Sequence, residues 1–165
     1  MLRIRLLTIL LVLVSGCIEQ EQGTAEAFFC PEDFCEERTI NAINEAEHSV
    51  SVAMYAFTSQ ELFEALKSAK ERGVEVKVVL DRLTSASQYS QKNNLIESGI
   101  QTRIMTGKTM HNKFATIDEN LVLTGSYNWT SNADEKNDEN LVFLFDKKIT
   151  REYSDEFFEL WIEAG

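Results

Sequence analysis

Residues 110–118 (MHNKFATID) combine the side-chain types that phosphate chemistry requires. They include His111, one of two histidines in the chain, and Lys113 two positions later. If this segment is a strand, both side chains point to one face, because side chains alternate along a strand. A neutral imidazole can attack an electrophile or move a proton near neutral pH, and a lysine ammonium attracts anions. The pair suits a phosphate, although an isolated pair of this kind is more often an ordinary surface feature.

Two later segments supply further polar groups. Ser126 and Asn128 follow a glycine within residues 121–130 (LVLTGSYNWT), and Glu139 lies in the cluster 135–140 (EKNDEN). We interpret the three segments as parts of one phosphate-handling site. Asp118 falls in a predicted turn, where an aspartate is common without any chemical role, so we expect it to orient other groups at most.

The composition indicates one folded domain. The chain has 165 residues, of which 44% are hydrophobic, and a single proline, which excludes a low-complexity or disordered protein. The net charge of −11 disfavours tight, non-specific binding to nucleic acid. A nucleic-acid substrate would therefore bind locally and with modest affinity.

The N-terminus predicts export. Residues 1–16 begin with basic side chains and continue into an apolar run that fits a signal peptide and is too short for a comfortable membrane span. Residues 14–17 (VSGC) resemble the lipobox of prokaryotic lipoproteins, in which the cysteine, here Cys17, becomes the lipidated N-terminus. We predict a signal peptide over 1–16, a tether over 17–27 and one domain over 28–165. The protein would lie on the outer face of the cell membrane or in a periplasm; a plain secretory signal or an N-terminal anchor is the alternative to lipidation.

The cysteines fit an exported protein. If Cys17 carries lipid, Cys30 and Cys35 remain as a pair in an oxidising compartment. A disulfide that closes so short a loop stabilises the fold by roughly 2 kcal/mol through chain entropy, so it would be a local staple. A zinc site is the rival interpretation, but Cys-x4-Cys has only His48 as a further ligand outside the central motif, and a structural zinc site needs four ligands.

Helix and strand patterns alternate along the domain. Strand patterns cover residues 28–29, 49–57, 74–81, 100–105, 111–117, 121–124 and 141–145. Helix patterns cover residues 39–46, 60–72, 84–98 and 150–162. Strands alternating with helices, followed by a hairpin, predict an α/β fold in which a mixed sheet is sandwiched by helices.

The central motif and its surroundings resemble one enzyme family. His-x-Lys-x4-Asp at residues 111–118, followed by Gly-Ser-x-Asn at residues 125–128, resembles the HKD signature of the phospholipase D superfamily. Residues 51–58, 72–81 and 136–140 also resemble segments of small bacterial HKD nucleases, so that the resemblance extends from residue 28 to residue 162. It implies a phospholipase D-like single domain with one HKD motif per chain.

The resemblance implies a role for each candidate residue. His111 would be the nucleophile that forms a phosphohistidine intermediate. Lys113 and Asn128 would hold the non-bridging phosphate oxygens, and Ser126 would add a hydroxyl group. Glu139 would accept the Nδ1 proton of His111 and so leave Nε2 free, although a solvated acid in an acidic run is the alternative.

A single motif cannot complete the family mechanism, because a second histidine must protonate the leaving oxygen. Small members of the family pair two subunits so that both motifs meet across a two-fold axis. We therefore expect a homodimer with one composite site. Neither a metal nor a cofactor is expected, since lysines would supply the positive charge and no carboxylate cluster resembles a two-metal site.

The predicted activity is that of a metal-independent endonuclease acting on nucleic acid. The basic residues that could follow a strand are Arg82, Arg103, Lys108 and Lys136. The alternative is phospholipase D-type hydrolysis of membrane phospholipids, which a lipid anchor would place beside its substrate. An apolar rim that would serve acyl chains or bases equally well is expected from Met105, Met110, Tyr127 and Trp129. A binding protein without turnover is a third possibility, which the intact set of site residues disfavours.

Overall fold

A seven-stranded mixed sheet with helices on both faces forms the domain, in a computed structural model that describes residues 23–164. The strands are β1 (Thr24–Cys30), β2 (Ser49–Met54), β3 (Glu75–Asp81), β4 (Gln101–Met105), β5 (Lys113–Ile117), β6 (Leu121–Gly125) and β7 (Glu139–Phe145). The helices are α1 (Cys35–Glu45), α2 (Gln60–Glu71), α3 (Arg82–Ser85), α4 (Lys92–Glu97), α5 (Ser131–Glu135) and α6 (Lys147–Glu163). The predicted α/β fold with a mixed sheet is confirmed.

Strand direction divides the sheet into two halves. The strand order is β1-β7-β6-β5-β2-β3-β4, in which β2, β3 and β4 are parallel to one another. The remaining neighbours, from β2 through β5, β6 and β7 to β1, pair antiparallel. Parallel neighbours need crossover connections, which α2 and α4 supply, whereas β5 and β6 need only a tight turn. The hairpin of β5 and β6 therefore lies in the middle of the sheet.

The helices cover the two faces of the sheet unequally. α1 and α2 bury the larger core on one face; α2 begins after Ser59, whose hydroxyl group accepts a hydrogen bond from Leu62 N (3.0 Å). On the opposite face, α6 packs Phe157 and Leu160 against Phe114 and its neighbours. Among residues 23–164, none of the helices is both long and apolar enough to cross a bilayer.

β1 begins earlier than its sequence pattern indicates. Thr24 pairs with Phe145 and Ala27 pairs with Val142, so residues 24–27 belong to the sheet. The predicted tether (17–27) and domain start (28) are therefore wrong at this boundary. These residues lack an apolar strand pattern, and it is the hydrogen bonds to β7 that make them a strand. The predicted signal peptide, residues 17–22 of the tether and Cys17 lie outside the residues that the structure describes.

The helix boundaries also differ from the sequence patterns. Residues 84–98 form two short helices, α3 and α4, because the Asp81 carboxylate caps a separate helix at Arg82. α1 begins at Cys35, four residues before the predicted start, and α5 had no sequence pattern of its own. The starts of α1 and α5 are joined by a long-range hydrogen bond from Glu36 N to Asp134 Oδ1 (3.0 Å), which local periodicity does not reveal.

Gly125 lies where β6 and β7 approach too closely for a side chain. Its φ is 151°, and a Cβ atom at this position would lie 2.2 Å from the carbonyl oxygen of Asn140.

We expect Gly125→Ala to lower the free energy of unfolding by at least about 2 kcal/mol, because the cost of backbone strain adds to the cost of displacing a strand. Urea denaturation followed by circular dichroism measures the loss. Gly107→Ala is the matched control, since a Cβ there would meet nothing within 4 Å; equal losses in the two variants would contradict the explanation.

Candidate active site

Strand direction brings the predicted site segments to one edge of the sheet, here called the site edge. β5 begins at this edge and β6 returns to it, so the residues before β5 and after β6 are neighbours. β2 and β3 end at the same edge, and β7 begins there. Segments that are far apart in the sequence therefore contribute side chains to one place.

His111 and Lys113 are in contact at the site edge. Lys113 Nζ lies 3.3 Å from Nδ1 and 3.4 Å from Nε2 of the imidazole, and it donates a hydrogen bond to the His111 carbonyl oxygen (3.0 Å). The Tyr55 ring lies 4.4 Å from the imidazole, centroid to centroid, and 5.1 Å from the Lys113 ammonium. The structure thus brings the two predicted side chains together. The strand predicted over residues 111–117 begins only at Lys113, so His111 lies just before it.

A buried carboxylate that sequence analysis missed holds the segment before β5 in place. Asp81, the last residue of β3, is 1% exposed. Its Oδ2 accepts a hydrogen bond from Met110 N (3.0 Å), and its Oδ1 accepts one from Leu83 N (2.8 Å). The sequence does contain a signal for this role, namely an acidic residue at the end of an otherwise apolar strand. Such a carboxylate must accept hydrogen bonds once the strand is buried.

The Lys113 ammonium is partly removed from water. This burial lowers the pKa of Lys113 below its usual range, and the negative charge of Glu139 offsets part of the decrease. The ammonium has therefore lost part of its hydration before any anion arrives, which favours direct contact with a phosphate oxygen.

Ser126 and Glu139 form the second part of the site, between β6 and β7. Ser126 Oγ donates a hydrogen bond to Glu139 Oε2 (2.5 Å) and accepts one from Asn140 N (3.0 Å). Asn137 Nδ2 donates to the other carboxylate oxygen of Glu139 (3.1 Å). The Ser126 hydroxyl group, predicted to contact phosphate, is thus engaged with Glu139. Glu139 in turn is held by Ser126 and Asn137, and not by His111 as predicted.

Asn128 carries a buried acceptor without a donor. Its side-chain oxygen accepts no hydrogen bond from residues 23–164. The backbone beside it is firmly held, because Thr58 N donates to Trp129 O (2.8 Å) and Trp129 N donates to Ala56 O (3.1 Å). An unpaired buried acceptor costs about 1–3 kcal/mol and calls for a functional explanation. The role of Asn128 as a phosphate ligand stays a prediction.

Asp118 lies at the opposite edge of the sheet, beyond the end of β5. Its carboxylate accepts hydrogen bonds from the backbone N–H groups of Glu47, His48 and Ser49 (2.7, 2.8 and 2.8 Å). Burial raises the pKa of this carboxyl group, but the three donors outweigh burial, so that its pKa lies below the usual value. A strand of five residues, about 15 Å long, separates Asp118 from His111, so the structure does not bring it to the other site residues, and its orienting role in the motif stays a prediction.

An open cleft of about 350 Å³, lined by both charged and aromatic side chains, adjoins His111 and Lys113. Phe114 and Thr124 line it from the sheet, and Glu152, Tyr153 and Glu156 line it from α6. The predicted apolar rim is wrong, because its four residues are at most 2% exposed and belong to the core: Met105, Met110, Tyr127 and Trp129. Aromatic and methionine side chains in a half-apolar sequence pack inside more readily than they line an open cleft.

The four basic residues predicted to follow a strand differ in their availability. Arg103 Nη1 donates to Trp161 O (2.6 Å), and Lys108 Nζ lies 2.8 Å from Glu163 Oε2. Lys136 and Arg82 are exposed, and Lys136 Nζ donates to an asparagine side chain of α5 (3.3 Å). Local attraction for a polyanion is therefore limited, in keeping with the acidic composition.

Cys30 and Cys35 are joined by a disulfide bond with their Cα atoms 5.8 Å apart. The two sulfur atoms are therefore not zinc ligands, and His48, proposed as a third ligand, is exposed at the edge of the sheet that holds Asp118. Within residues 23–164 there is no group of three or more His, Cys, Asp or Glu side chains placed to hold a metal. A metal-independent reaction stays a prediction.

A histidine and a lysine in contact at one edge of a mixed sheet, on an HKD motif, are the features by which this chain resembles the phospholipase D superfamily. The family described as "Cardiolipin synthase, PLD-like domain" matches residues 39–161. The chain belongs to the phospholipase D superfamily.

Curated relatives share a third of their aligned residues with this chain. It is 35% identical over 127 residues to the mitochondrial cardiolipin hydrolase of Canis lupus familiaris, an alignment that covers 76% of this chain and 50% of that protein. It is 31% identical over 141 residues to the phospholipase D of Rickettsia prowazekii, covering 85% of this chain and 69% of that protein. The chain thus spans about half the length of the canine relative.

Two solved structures share the fold described above. Nuc from Salmonella typhimurium, a phospholipase D family member, superposes with a TM-score of 0.83 at 28% identity, covering 87% of this chain and 97% of Nuc. NucT from Helicobacter pylori superposes with a TM-score of 0.81 at 25% identity, covering 87% of this chain and 98% of NucT. Almost all of each structure corresponds to the single domain of this chain.

The position of Asp118 predicts a structural role. We expect Asp118→Asn to lower the free energy of unfolding at pH 7 by about 1–3 kcal/mol, because a charged acceptor of three backbone N–H groups is lost. The folded pKa of Asp118 is depressed, so its contribution is present above the unfolded pKa and disappears as the pH falls through the folded pKa. Denaturation midpoints of variant and wild type should therefore converge below about pH 4.

Turnover by the folded Asp118→Asn protein should stay within about twofold of wild type. Glu119→Gln is the matched control, since Glu119 is an exposed acid in the same turn, and it should leave both stability and turnover unchanged. An Asp118→Asn protein of wild-type stability but without activity would support a catalytic role for this residue.

Proposed function

We propose that this chain is a metal-independent phosphodiesterase that hydrolyses phosphodiester bonds of nucleic acid through a phosphohistidine at His111. The observation that carries the proposal is the contact between the His111 imidazole and the Lys113 ammonium beside an open cleft. A nucleophile and a ligand for a non-bridging oxygen are thus within reach of one phosphate.

The reaction takes two displacement steps at phosphorus. A ring nitrogen of neutral His111 attacks phosphorus, the bond to the leaving oxygen breaks, and that oxygen takes a proton from a general acid. Water then attacks the phosphohistidine, gives its proton to the same group, and the phosphorus–nitrogen bond breaks. His111 and a phosphate monoester result, while Lys113 and Asn128 hold the non-bridging oxygens in both steps.

The general acid is proposed to be His111 of a second subunit. His48 is the only other histidine of the chain. It lies at the edge of the sheet away from His111, where its backbone N–H is bonded to Asp118, and it cannot reach the same phosphate. A two-fold axis beside the site edge would bring two copies of His111 to one phosphate, with opposite protonation states in each step.

The surface of the sheet supports a homodimer. α6 packs on the central strands, and the outer part of the same face carries apolar side chains of β1 and β7. Ala25, Ala27 and Phe29 alternate along β1 and are exposed, Phe29 by 62%. Their partners on β7 include Val142 and Leu144, which are half-buried. An apolar strip that adjoins the site edge is the kind of surface that a second copy would cover.

Nucleic acid is the proposed substrate because charged side chains line the cleft, and because the four residues predicted to form an apolar rim are in the core. Exposed Arg82 follows the last residue of β3 at the site edge, where it could contact a neighbouring phosphate. The structural similarity to Nuc and NucT supports the same assignment.

Phospholipid is the second candidate substrate, and the curated relatives favour it. They are named mitochondrial cardiolipin hydrolase and phospholipase D. The two displacement steps would be the same with a lipid phosphodiester.

We also propose that the protein is exported and anchored through Cys17 on the outer face of the membrane, or lies in a periplasm. The Cys30–Cys35 disulfide supports an oxidising compartment.

A substrate panel tests the activity. We expect the full chain to cleave single-stranded DNA, duplex DNA or RNA in the presence of EDTA. His111→Ala should lose at least about a thousandfold in turnover, because the nucleophile is removed. His48→Ala is the matched control and should retain wild-type turnover. Hydrolysis of phosphatidylcholine or cardiolipin vesicles without nucleic-acid cleavage would favour the second candidate. The proposed enzymatic activity would be rejected if no substrate is cleaved, or if His111→Ala cleaves as well as wild type.

Mixed dimers test the composite site. If both histidines act on one phosphate, co-refolding wild type with an equal amount of His111→Ala leaves about a quarter of the dimers active, by random pairing of equal partners. Independent sites would leave about half of the activity in the same mixture. An equal mixture of wild type with Gly107→Ala controls for losses in refolding. Light scattering during gel filtration measures the mass, and an active monomer would reject the dimer.

A further inference from the structure

The Cys30–Cys35 disulfide joins the end of an edge strand to the start of a helix, at the site edge. Cys30 is the last residue of β1 and lies opposite Glu139 in the β1–β7 register. Cys35 is the first residue of α1. β1 pairs with β7 alone. The strand end beside Glu139 is therefore held on its outer side by the disulfide, because no further strand within residues 23–164 pairs there.

The helix that receives the disulfide is itself anchored. Glu36, directly after Cys35, donates its backbone N–H to Asp134 Oδ1 (3.0 Å) of α5, and its carboxylate accepts a hydrogen bond from the Ser59 hydroxyl group. Ser59 caps α2 and is 1% exposed. The start of α1 is thus tied to two other helices, and the disulfide extends that anchorage to the end of β1.

Glu139 needs such support because its contacts are local. Its carboxylate accepts from Ser126 Oγ (2.5 Å) and Asn137 Nδ2 (3.1 Å), both near the start of β7. On the inner side, β6 holds this strand start through the hydrogen bond from Ser126 N to Asn140 O (3.1 Å). On the outer side, Cys30 is the last paired residue. Cys30 therefore lies directly beside Glu139 on the outer side, at the end of the paired part of β1.

We propose that the Cys30–Cys35 disulfide is a positioning device for Glu139, so that the oxidised chain is the fully active form and loss of the disulfide lowers turnover in a folded domain. The inference rests on the proposed function, since it concerns the same site. Reduction by a dithiol would add two electrons and two protons to the disulfide and leave two thiols, while the dithiol becomes a disulfide. An exported enzyme controlled in this way would reach full activity only after it enters an oxidising compartment.

The test uses variants, because both cysteines are at most 2% exposed and a reductant reaches them slowly. The full chain is compared as wild type, Cys30→Ala/Cys35→Ala, Glu139→Gln and the combined triple variant, with bis(4-nitrophenyl) phosphate as a soluble diester. We expect the cysteine pair variant to lose about ten- to a hundredfold in kcat with KM changed by less than about threefold, as a misplaced site group does. Circular dichroism at the assay temperature checks that the variants are folded.

The triple variant decides whether the disulfide acts through Glu139. If it does, the cysteine substitutions should cause no further loss of kcat in the Glu139→Gln background, because the group they position is already altered. Multiplicative losses in the triple variant would overturn the proposal and leave the disulfide a general staple. Wild-type kcat in a folded Cys30→Ala/Cys35→Ala protein would overturn it as well.

A second measurement does not depend on turnover. Glu139 raises the pKa of Lys113, so its displacement should move the Lys113 titration to lower pH. The other groups that face this ammonium are His111 and Tyr55, with the carboxylates of Glu152 and Glu156 across the cleft. Nitrogen-15 NMR of the lysine side chains should show a lower Lys113 midpoint in both Glu139→Gln and the cysteine pair variant.

The proposal that the disulfide positions Glu139 would be overturned if the midpoint of the Lys113 titration falls in Glu139→Gln but is unchanged in the cysteine pair variant. If wild type cleaves no diester but the two midpoints fall together, the proposed function fails and the positioning stands.

Discussion

The antiparallel hydrogen-bond ladder that joins β2, β5, β6 and β7 is the constraint on which the site depends. It sets the direction of each strand, and direction decides which strand ends meet. The ladder continues one step past β2, where Tyr55 N donates to Asn112 O (2.9 Å). That bond places the Tyr55 ring beside His111 and fixes the backbone between His111 and Lys113. A one-residue slip of β5 would turn Lys113 to the other face of the sheet.

Buried or partly buried carboxylates hold both ends of this hairpin. Asp81 binds the backbone before β5, and Asp118 binds the backbone before β2 from the turn at the opposite end. Asp81 is removed from water and Asp118 is partly so, and both carboxylates are stabilised by backbone N–H groups. Gly125 completes the arrangement, since its missing side chain lets β6 approach β7 closely enough for Ser126 to bond Glu139. The positions of His111, Lys113 and Glu139 are thus set by groups outside the proposed phosphate site.

If this acidic chain acts on an anionic diester, as proposed, binding must rely on local charge. The overall charge is −11, and at the site edge the Lys113 ammonium stands against Glu139, with Glu152 and Glu156 across the cleft. Such an arrangement favours contact with one phosphate over capture of a long polyanion. This balance is compatible with a nucleic-acid strand or a lipid head group, because both present a single scissile diester to the same pair of side chains.

The sequence by itself determined the fold class, the hairpin and the proximity of His111 to Lys113, because apolar periodicity and a two-residue spacing are local properties. It also identified Cys30 and Cys35 as a pair. Only the tertiary structure decided the roles of Asp118, Asp81 and Glu139. Those roles depend on which strand ends lie at the same edge. For Asp81 and Asp118 they also depend on backbone N–H groups that reach the carboxylate from segments 29 and 71 residues away. Local sequence periodicity does not predict contacts between distant segments, so these neighbours are identified only once the strand pairing is known.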